Sequence, residues 1–278
     1  MKKLNYKLIV SDFDGTLIDD NQRILPEVRA AIDEYVASGG IFAVCTGRML
    51  SSILPQVRAL GLKGLVIAYQ GTVIADIETG KIIKIGGIEY VDAAEVCKNI
   101  EELGYGINVY SDEKIYTNYP EDNVYLQTYE RIIGVKAIHI KEKMSDYVTR
   151  NKLYCQKVLS IVSEDERVKL YSELLKRLGD RFDVTCSAKV LVEISPKGDN
   201  KGEAVKFLSD YYKIPIEKTV AVGDNLNDMS MVIAAGVGCA VGNAENELKE
   251  VADFIAVSNN EGALAQIIRK FGGSKNNV

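Results

Sequence analysis

Histidine is almost absent from this chain. His139 is the single copy in 278 residues, so a metal centre built on several imidazoles is excluded. Flanked by Ile138 and Ile140 in a strand pattern, it reads as a structural or edge-lying residue. Cysteine is scarce as well. The five copies, at 45, 97, 155, 186 and 239, are too dispersed for a zinc knuckle or a dense disulfide framework, and the odd count suits a reducing compartment. No apolar run is long enough for a bilayer span, and the Lys-rich start leads straight into a short run at 8–10, without a signal-peptide core. A membrane partner is therefore not expected, and the cytoplasm is the default location. A basic excess is missing too: 34 Lys and Arg face 39 Asp and Glu, a net charge of -5, which argues against nucleic acid as the main partner.

What the chain does have is apolar material, 47% of residues against 26% charged, enough for one large or two ordinary domains with a real core. Short β-branched runs at 7–11, 41–45 and 65–68 alternate with amphipathic stretches, one opened by Pro26 and another carrying Ile53, Val57 and Leu60. Continuous apolar strands between helices predict an α/β domain with a mostly parallel sheet covered on both faces. After Gly71 a hairpin is expected from 72–75 and 81–85. Residues 88–189 then break the rhythm. Helical patterns at 91–103, 121–131 and 165–178 lie among strand patterns at 107–110, 135–140, 157–162 and 182–187, an inserted α+β unit. From Lys201 the βαβ rhythm returns, with strands at 219–222, 237–241 and 254–257. The expected division is 1–87 with 190–278 as one domain and 88–189 as the other. A site would lie at the carboxyl ends of the parallel strands, with the insert above it as a lid.

Four groups of residues carry chemistry. Asp12-Phe13-Asp14-Gly15-Thr16-Leu17 follows the first strand, and carboxylates two apart on an extended strand end share one side. Such a pair repels itself unless a cation or a shared proton intervenes, and an oxygen-only set favours Mg²⁺. Gly15 permits a sharp turn that brings backbone N–H groups to a phosphate. The competing account is a surface Asp/Gly turn. Gly223-Asp224-Asn225-Leu226-Asn227-Asp228 follows the strand at 219–222 and adds two carboxylates; if Asn225–Asn227 opens a helix, its free N–H groups face the same anion. A plain capping loop would not need four acidic or amide side chains in six residues. Thr46-Gly47-Arg48 follows another strand, its hydroxyl and backbone N–H suited to a phosphate oxygen. Lys201-Gly202 opens a helix. Its ammonium either offsets charge on a phosphate or is simply solvated.

In order and type, these groups resemble the haloacid dehalogenase-like phosphohydrolases, specifically Cof-type members with a large (type IIB) cap, along essentially the whole chain. The resemblance implies a Rossmann-like core and a Mg²⁺-dependent phosphatase acting on small phosphorylated metabolites, sugar phosphates or similar monoesters. It implies Asp12 as the nucleophile that becomes aspartyl-phosphate, and Asp14 as the acid and later the base. Thr46, Gly47, Gly15, Asn227 and Lys201 become phosphate ligands. Asp12, Asp14 through its carbonyl, and Asp224 become metal ligands, with Asp228 and Arg48 in support. Relatives often place Asn-Gly after the third strand, where this chain has Gln70-Gly71, one methylene longer.

Two other functions use the same residues: a hexose-phosphate mutase, and a non-catalytic phospholigand-binding module whose insert meets a protein. The intact Asp12, Asp14, Lys201 and Asp224 argue against the second. In the insert, Tyr110, Tyr116, Tyr119, Tyr125 and Tyr129 are candidates to line a groove, and Lys114, Arg131 and Lys152 to meet a second acidic group. No motif fixes their positions relative to Asp12.

Overall fold

The computed structural model describes residues 4–273; the Lys-rich start at 1–3 lies outside the described residues. Fourteen strands are described: β1 (Leu8–Ser11), β2 (Ile41–Cys45), β3 (Leu65–Ala68), β4 (Val73–Asp76), β5 (Ile82–Ile85), β6 (Asn108–Ser111), β7 (Lys114–Thr117), β8 (Ile138–His139), β9 (Lys157–Ile161), β10 (Phe182–Ala188), β11 (Leu191–Pro196), β12 (Thr219–Gly223), β13 (Val237–Ala240) and β14 (Phe254–Ile255). They form two sheets. The first runs β14-β13-β12-β1-β2-β3-β4-β5, parallel from β14 to β3 and antiparallel over the last two pairings. The chain leaves β1 in one direction to β2 and β3, and leaves β12 in the other to β13 and β14. The crevice between β1 and β12 is thus a topological switch point.

Side-chain alternation explains why this sheet is buried on both faces. Leu8 and Val10 point into one apolar cluster with Ala43, Ala221 and Leu208, whereas Ile9 points into another with Val44, Val220 and Ile267. The three apolar β1 side chains are fully buried, each contributing roughly 1.5–3 kcal/mol of transfer free energy. Helices α1 (Pro26–Ala37) and α2 (Leu50–Ala59) cover the Ile9 face. The opposite face is covered by a helix over Lys201–Tyr211, which reaches Leu208 into the Leu8 cluster. The architecture is the expected Rossmann-like α/β core with helices on both faces and an inserted unit.

The insert has its own sheet, ordered β10-β11-β9-β6-β7-β8, with helices α3 (Tyr90–Glu102), α4 (Val124–Ile133), α5 (Met144–Asn151) and α6 (Glu164–Leu178). Its Val109, Val158 and Val192 pack with side chains of α3, α5 and α6 in a separate cluster. The other face, with Tyr110, Leu159 and Leu191, joins the core cluster that contains Met49, Leu50 and Tyr69. Two expectations change. The division at 190 is too early, because β11 pairs antiparallel with β9 and β10 and so belongs to the inserted sheet. The strand at 135–140 shrinks to Ile138–His139, and α5 and β7 were not foreseen. No helix among the described residues is long and apolar enough to cross a membrane.

Candidate active site

Asp12 stands where β1 ends. Its backbone N–H still bonds to Val222 of β12, so the strand hands the carboxylate directly to the switch point. The chain then turns over Phe13–Leu17, and Gly15 takes φ +74, a left-handed conformation that glycine adopts without steric cost. A Cβ on Gly15 would also lie 2.7 Å from Asp224 Oδ2, so the turn is packed directly against the second acidic loop. Thr16 donates its hydroxyl to Asp224 Oδ1 at 2.8 Å.

The two strand ends meet around one small volume. Ligand atoms of Asp12, Asp224 and Asp228 all lie within 4.8 Å of one another, and no histidine or cysteine joins them. Asp228 is the occupied member. Its Oδ1 meets Lys201 Nζ at 2.5 Å, while its Oδ2 accepts the backbone N–H groups of Asp224 (2.9 Å) and Asn225 (3.1 Å). It therefore shapes the loop that presents Asp224. Lys201, fully buried, also bonds Asp12 Oδ1. Oδ2 of Asp12 accepts no hydrogen bond from the described residues. This oxygen-only set, with free lone pairs on Asp12 and Asp224, fits a hard divalent cation.

Electrostatics make the same point. Burial pushes the Asp12 carboxyl well above the ordinary carboxylate range; Lys201 pulls it down, while Asp228 and Asp224 push it further up. Burial likewise raises Asp224, with Asp228 adding to it, from 3.8 to about 7. Burial works against the Lys201 ammonium, but Asp12 and Asp228 outweigh it and raise its pKa. Three acids around one lysine leave negative charge uncompensated. A divalent cation would balance that charge.

Asp14 differs from the expectation that it shares one side with Asp12. The turn swings its carboxylate out of the acidic cluster, where Arg48 grips it with Nε at 2.8 Å and a second bond from Nη2. Arg48 is itself buried and lies over the Phe13 ring, 5.1 Å from its centroid. So Arg48 braces Asp14. Thr46 Oγ1 accepts the Arg48 N–H at 3.2 Å, which leaves its own proton to donate, and the Gly47 N–H has no acceptor among the described residues. A Cβ on Gly47 would sit 2.4 Å from Gln70 Nε2.

The insert closes the site from above and supplies residues the motifs did not announce. Lys157 and Glu193 are both buried and form an ion pair of 3.1 Å. Lys157 Nζ also donates to the Gly47 carbonyl at 2.9 Å, across the boundary between the units. Glu193 accepts from Ser187 and from Gln70 Nε2 (2.8 Å), and Gln70 Oε1 in turn accepts from Asn227 at 3.0 Å. The extra methylene of Gln70 is thus what lets it span from Asn227 to the insert. Its backbone is left-handed, φ 62. One signal was available for this pair: a single charge in each of two short, mostly apolar runs, Lys157 at the head of β9 and Glu193 within β11. Of the tyrosines, Tyr125 and Tyr129 line the cavity, Tyr110 and Tyr119 are buried, and Tyr116 packs on Tyr147. Lys114, Arg131 and Lys152 are not among the residues lining the cavity, and His139 bonds the Tyr119 carbonyl away from it.

A mostly parallel sheet with a buried carboxylate at its switch point, a buried lysine against it and an inserted unit above is the arrangement of a phosphoryl-transfer hydrolase. The family model described as haloacid dehalogenase-like hydrolase matches residues 9–268, and the chain belongs to that family. Its activity class is phosphoric monoester hydrolysis. Phosphatase YwpJ of Bacillus subtilis is 29% identical over 284 residues, 95% of this chain and 99% of that one. The 5-amino-6-(5-phospho-D-ribitylamino)uracil phosphatase YcsE of the same organism is 27% identical over 266 residues, 96% of each. Among solved structures, a haloacid dehalogenase-like hydrolase from B. subtilis superposes with a TM-score of 0.84 at 28% identity, covering 95% of this chain and 99% of that chain.

Proposed function

We propose that the protein is a Mg²⁺-dependent, Cof-type phosphatase of small phosphorylated metabolites that works through an aspartyl-phosphate on Asp12. One observation carries this: Asp12 keeps one unbonded carboxylate oxygen at the switch point, with Lys201 on the other oxygen and Asp224 beside it. Asp12 Oδ2 attacks phosphorus in line, forming the acyl-phosphate bond as the ester P–O bond breaks. The Thr46 hydroxyl and the Gly47 N–H hold phosphate oxygens, with the Gly15 turn and Asn227 at its edges. Lys201 offsets charge where nucleophile and phosphate meet. Asp12, the Asp14 carbonyl and Asp224 would hold Mg²⁺, which supplies positive charge against the phosphoryl oxygens. Asp14 gives its proton to the departing alcohol oxygen and then takes one from the attacking water. Because Arg48 occupies both Asp14 oxygens, the acid step requires that grip to loosen when ester fills the site. The unit around the first sheet is the catalytic core and the inserted unit its cap. The five free, buried cysteines favour a reducing cytoplasm.

The direct test is inorganic phosphate release from a panel of phosphorylated metabolites and acetyl phosphate. Release is expected with Mg²⁺, is abolished by chelation and returns when Mg²⁺ is added back. Cation binding without release from any ester would instead mark a non-catalytic module.

A pH effect follows from Asp224. Its carboxyl is raised in the folded chain to about 7, so the stability it contributes is present below its unfolded value of 3.8 and is lost as pH climbs through about 7. Mg²⁺ needs the ionised form and competes with that proton. The cation should therefore raise the melting temperature by several degrees at pH 8 and by much less at pH 5.5. Equal shifts at both values would show that the cation does not displace this proton.

A further inference from the structure

Above the phosphate end, the site widens into a cavity of about 440 Å³ that reaches up to the inserted unit and opens to solvent along α4. Its upper wall is largely apolar: Val124, Tyr125, Ile132 and Ile133 from α4, Val190 from the β10–β11 connection and Leu191 from the start of β11. The charged groups that share this wall are already engaged, and its hydroxyls partly so. Lys157 is spent on Gly47 and Glu193. Glu193 accepts from Lys157, Ser187 and Gln70 together. Thr128 accepts from Arg131, and Tyr129 accepts from Tyr110 Oη at 2.6 Å. What the wall still offers a ligand is mostly aromatic and aliphatic surface, with the hydroxyl protons of Tyr125, Thr128 and Tyr129 left to donate.

A buried hydroxyl without a partner is costly, whereas apolar surface gains from contact with a ring. We propose that the leaving group this cap selects is an apolar or aromatic ring bearing few hydroxyls, and that it discriminates against polyhydroxylated sugars. The inference rests on the phosphatase reading and adds the class of ester. Tyr125 and Tyr129, one helical turn apart on α4, both line the cavity and offer aromatic surface to such a ring, while its phosphomethyl end reaches Asp12. Ile132, 56% exposed at the rim, is a specificity residue rather than part of the fold's interior.

Benzyl phosphate and glucose 6-phosphate test this. Both are esters of primary alcohols, so the reacting centre is alike and only the body differs. In the presence of Mg²⁺, kcat/KM for benzyl phosphate should exceed that for glucose 6-phosphate by at least about tenfold. Ile132→Asn should shrink that ratio about tenfold by lowering the benzyl value, while the far-ultraviolet circular dichroism stays that of the parent. Equal values, or preference for glucose 6-phosphate, overturn the inference and leave the phosphatase reading standing. Unchanged discrimination in Ile132→Asn removes α4 as its source and likewise overturns the inference. Inactivity toward both esters and toward acetyl phosphate overturns the phosphatase reading, and this inference with it.

Discussion

Asp12→Asn should lower kcat by about 10⁴-fold or more and, without added cation, raise the melting temperature by a few degrees. The two effects have one origin. An amide oxygen has no charge to bring to phosphorus, so the covalent step is lost, while the neighbouring donors keep their places. For stability the same charge is a liability. The Asp12 carboxyl is buried and crowded by Asp228 and Asp224, and Lys201 offsets only part of that cost, as its raised pKa records. Asparagine can still accept from Lys201 Nζ through its carbonyl oxygen, so the bond survives and the surplus charge goes. The stability gain should shrink as pH falls, because protonation then neutralises Asp12 in the parent too. Thermal melts and phosphate release on one preparation, verified by mass to be free of deamidation, check both halves. A substantial rate in that preparation would remove Asp12 as nucleophile.

The chemistry sits at strand ends, and that is why it was legible. β1, β2 and β12 are apolar runs buried on both faces, and each is followed at once by its polar motif. Strand direction then brings Asp12, Thr46 and Asp224 to one edge without any knowledge of side-chain rotamers. The same logic fails for Asp14, because Gly15 turns the backbone just past Asp12 and period two no longer applies. In the insert, the hairpin β6–β7 was hidden by its own turn. Asp112 and Glu113 both take positive φ, 50 and 55, where a readable turn would show Asn-Gly. Glu113 is kept there by tertiary contacts: its carboxylate accepts the Ser51 N–H at 2.7 Å and the Tyr69 hydroxyl at 3.0 Å in the other unit. The β10–β11 connection, Lys189-Val190, likewise lacks glycine and asparagine, so β11 read as a boundary rather than a strand. Lys157 and Glu193 meet only because of that unseen pairing.

Lys201→Met should cost about 3–5 kcal/mol of folding stability near pH 8 and abolish turnover. Methionine matches the lysine stem up to Cε but lacks the ammonium, and the ammonium it removes is fully buried between two carboxylates. Removing it leaves Asp12 and Asp228 facing each other in a dry interior. The loss should ease as pH falls and Asp12, whose carboxyl is already raised by burial, takes up a proton. Adding Mg²⁺ should recover only part of it, since a cation held by Asp12 and Asp224 does little for Asp228, whose other oxygen is committed to the Asp224 and Asn225 N–H groups. Combining Lys201→Met with Asp12→Asn should destabilise less than Lys201→Met alone, because one of the two stranded charges is gone. Urea unfolding of the parent, the two single variants and the double variant measures this coupling. A Lys201→Met protein as stable as the parent at pH 8 would mean that the carboxylates are not relying on the lysine. A double variant no better than the single would place the burden on Asp228, and so on the loop that positions Asp224 rather than on the nucleophile.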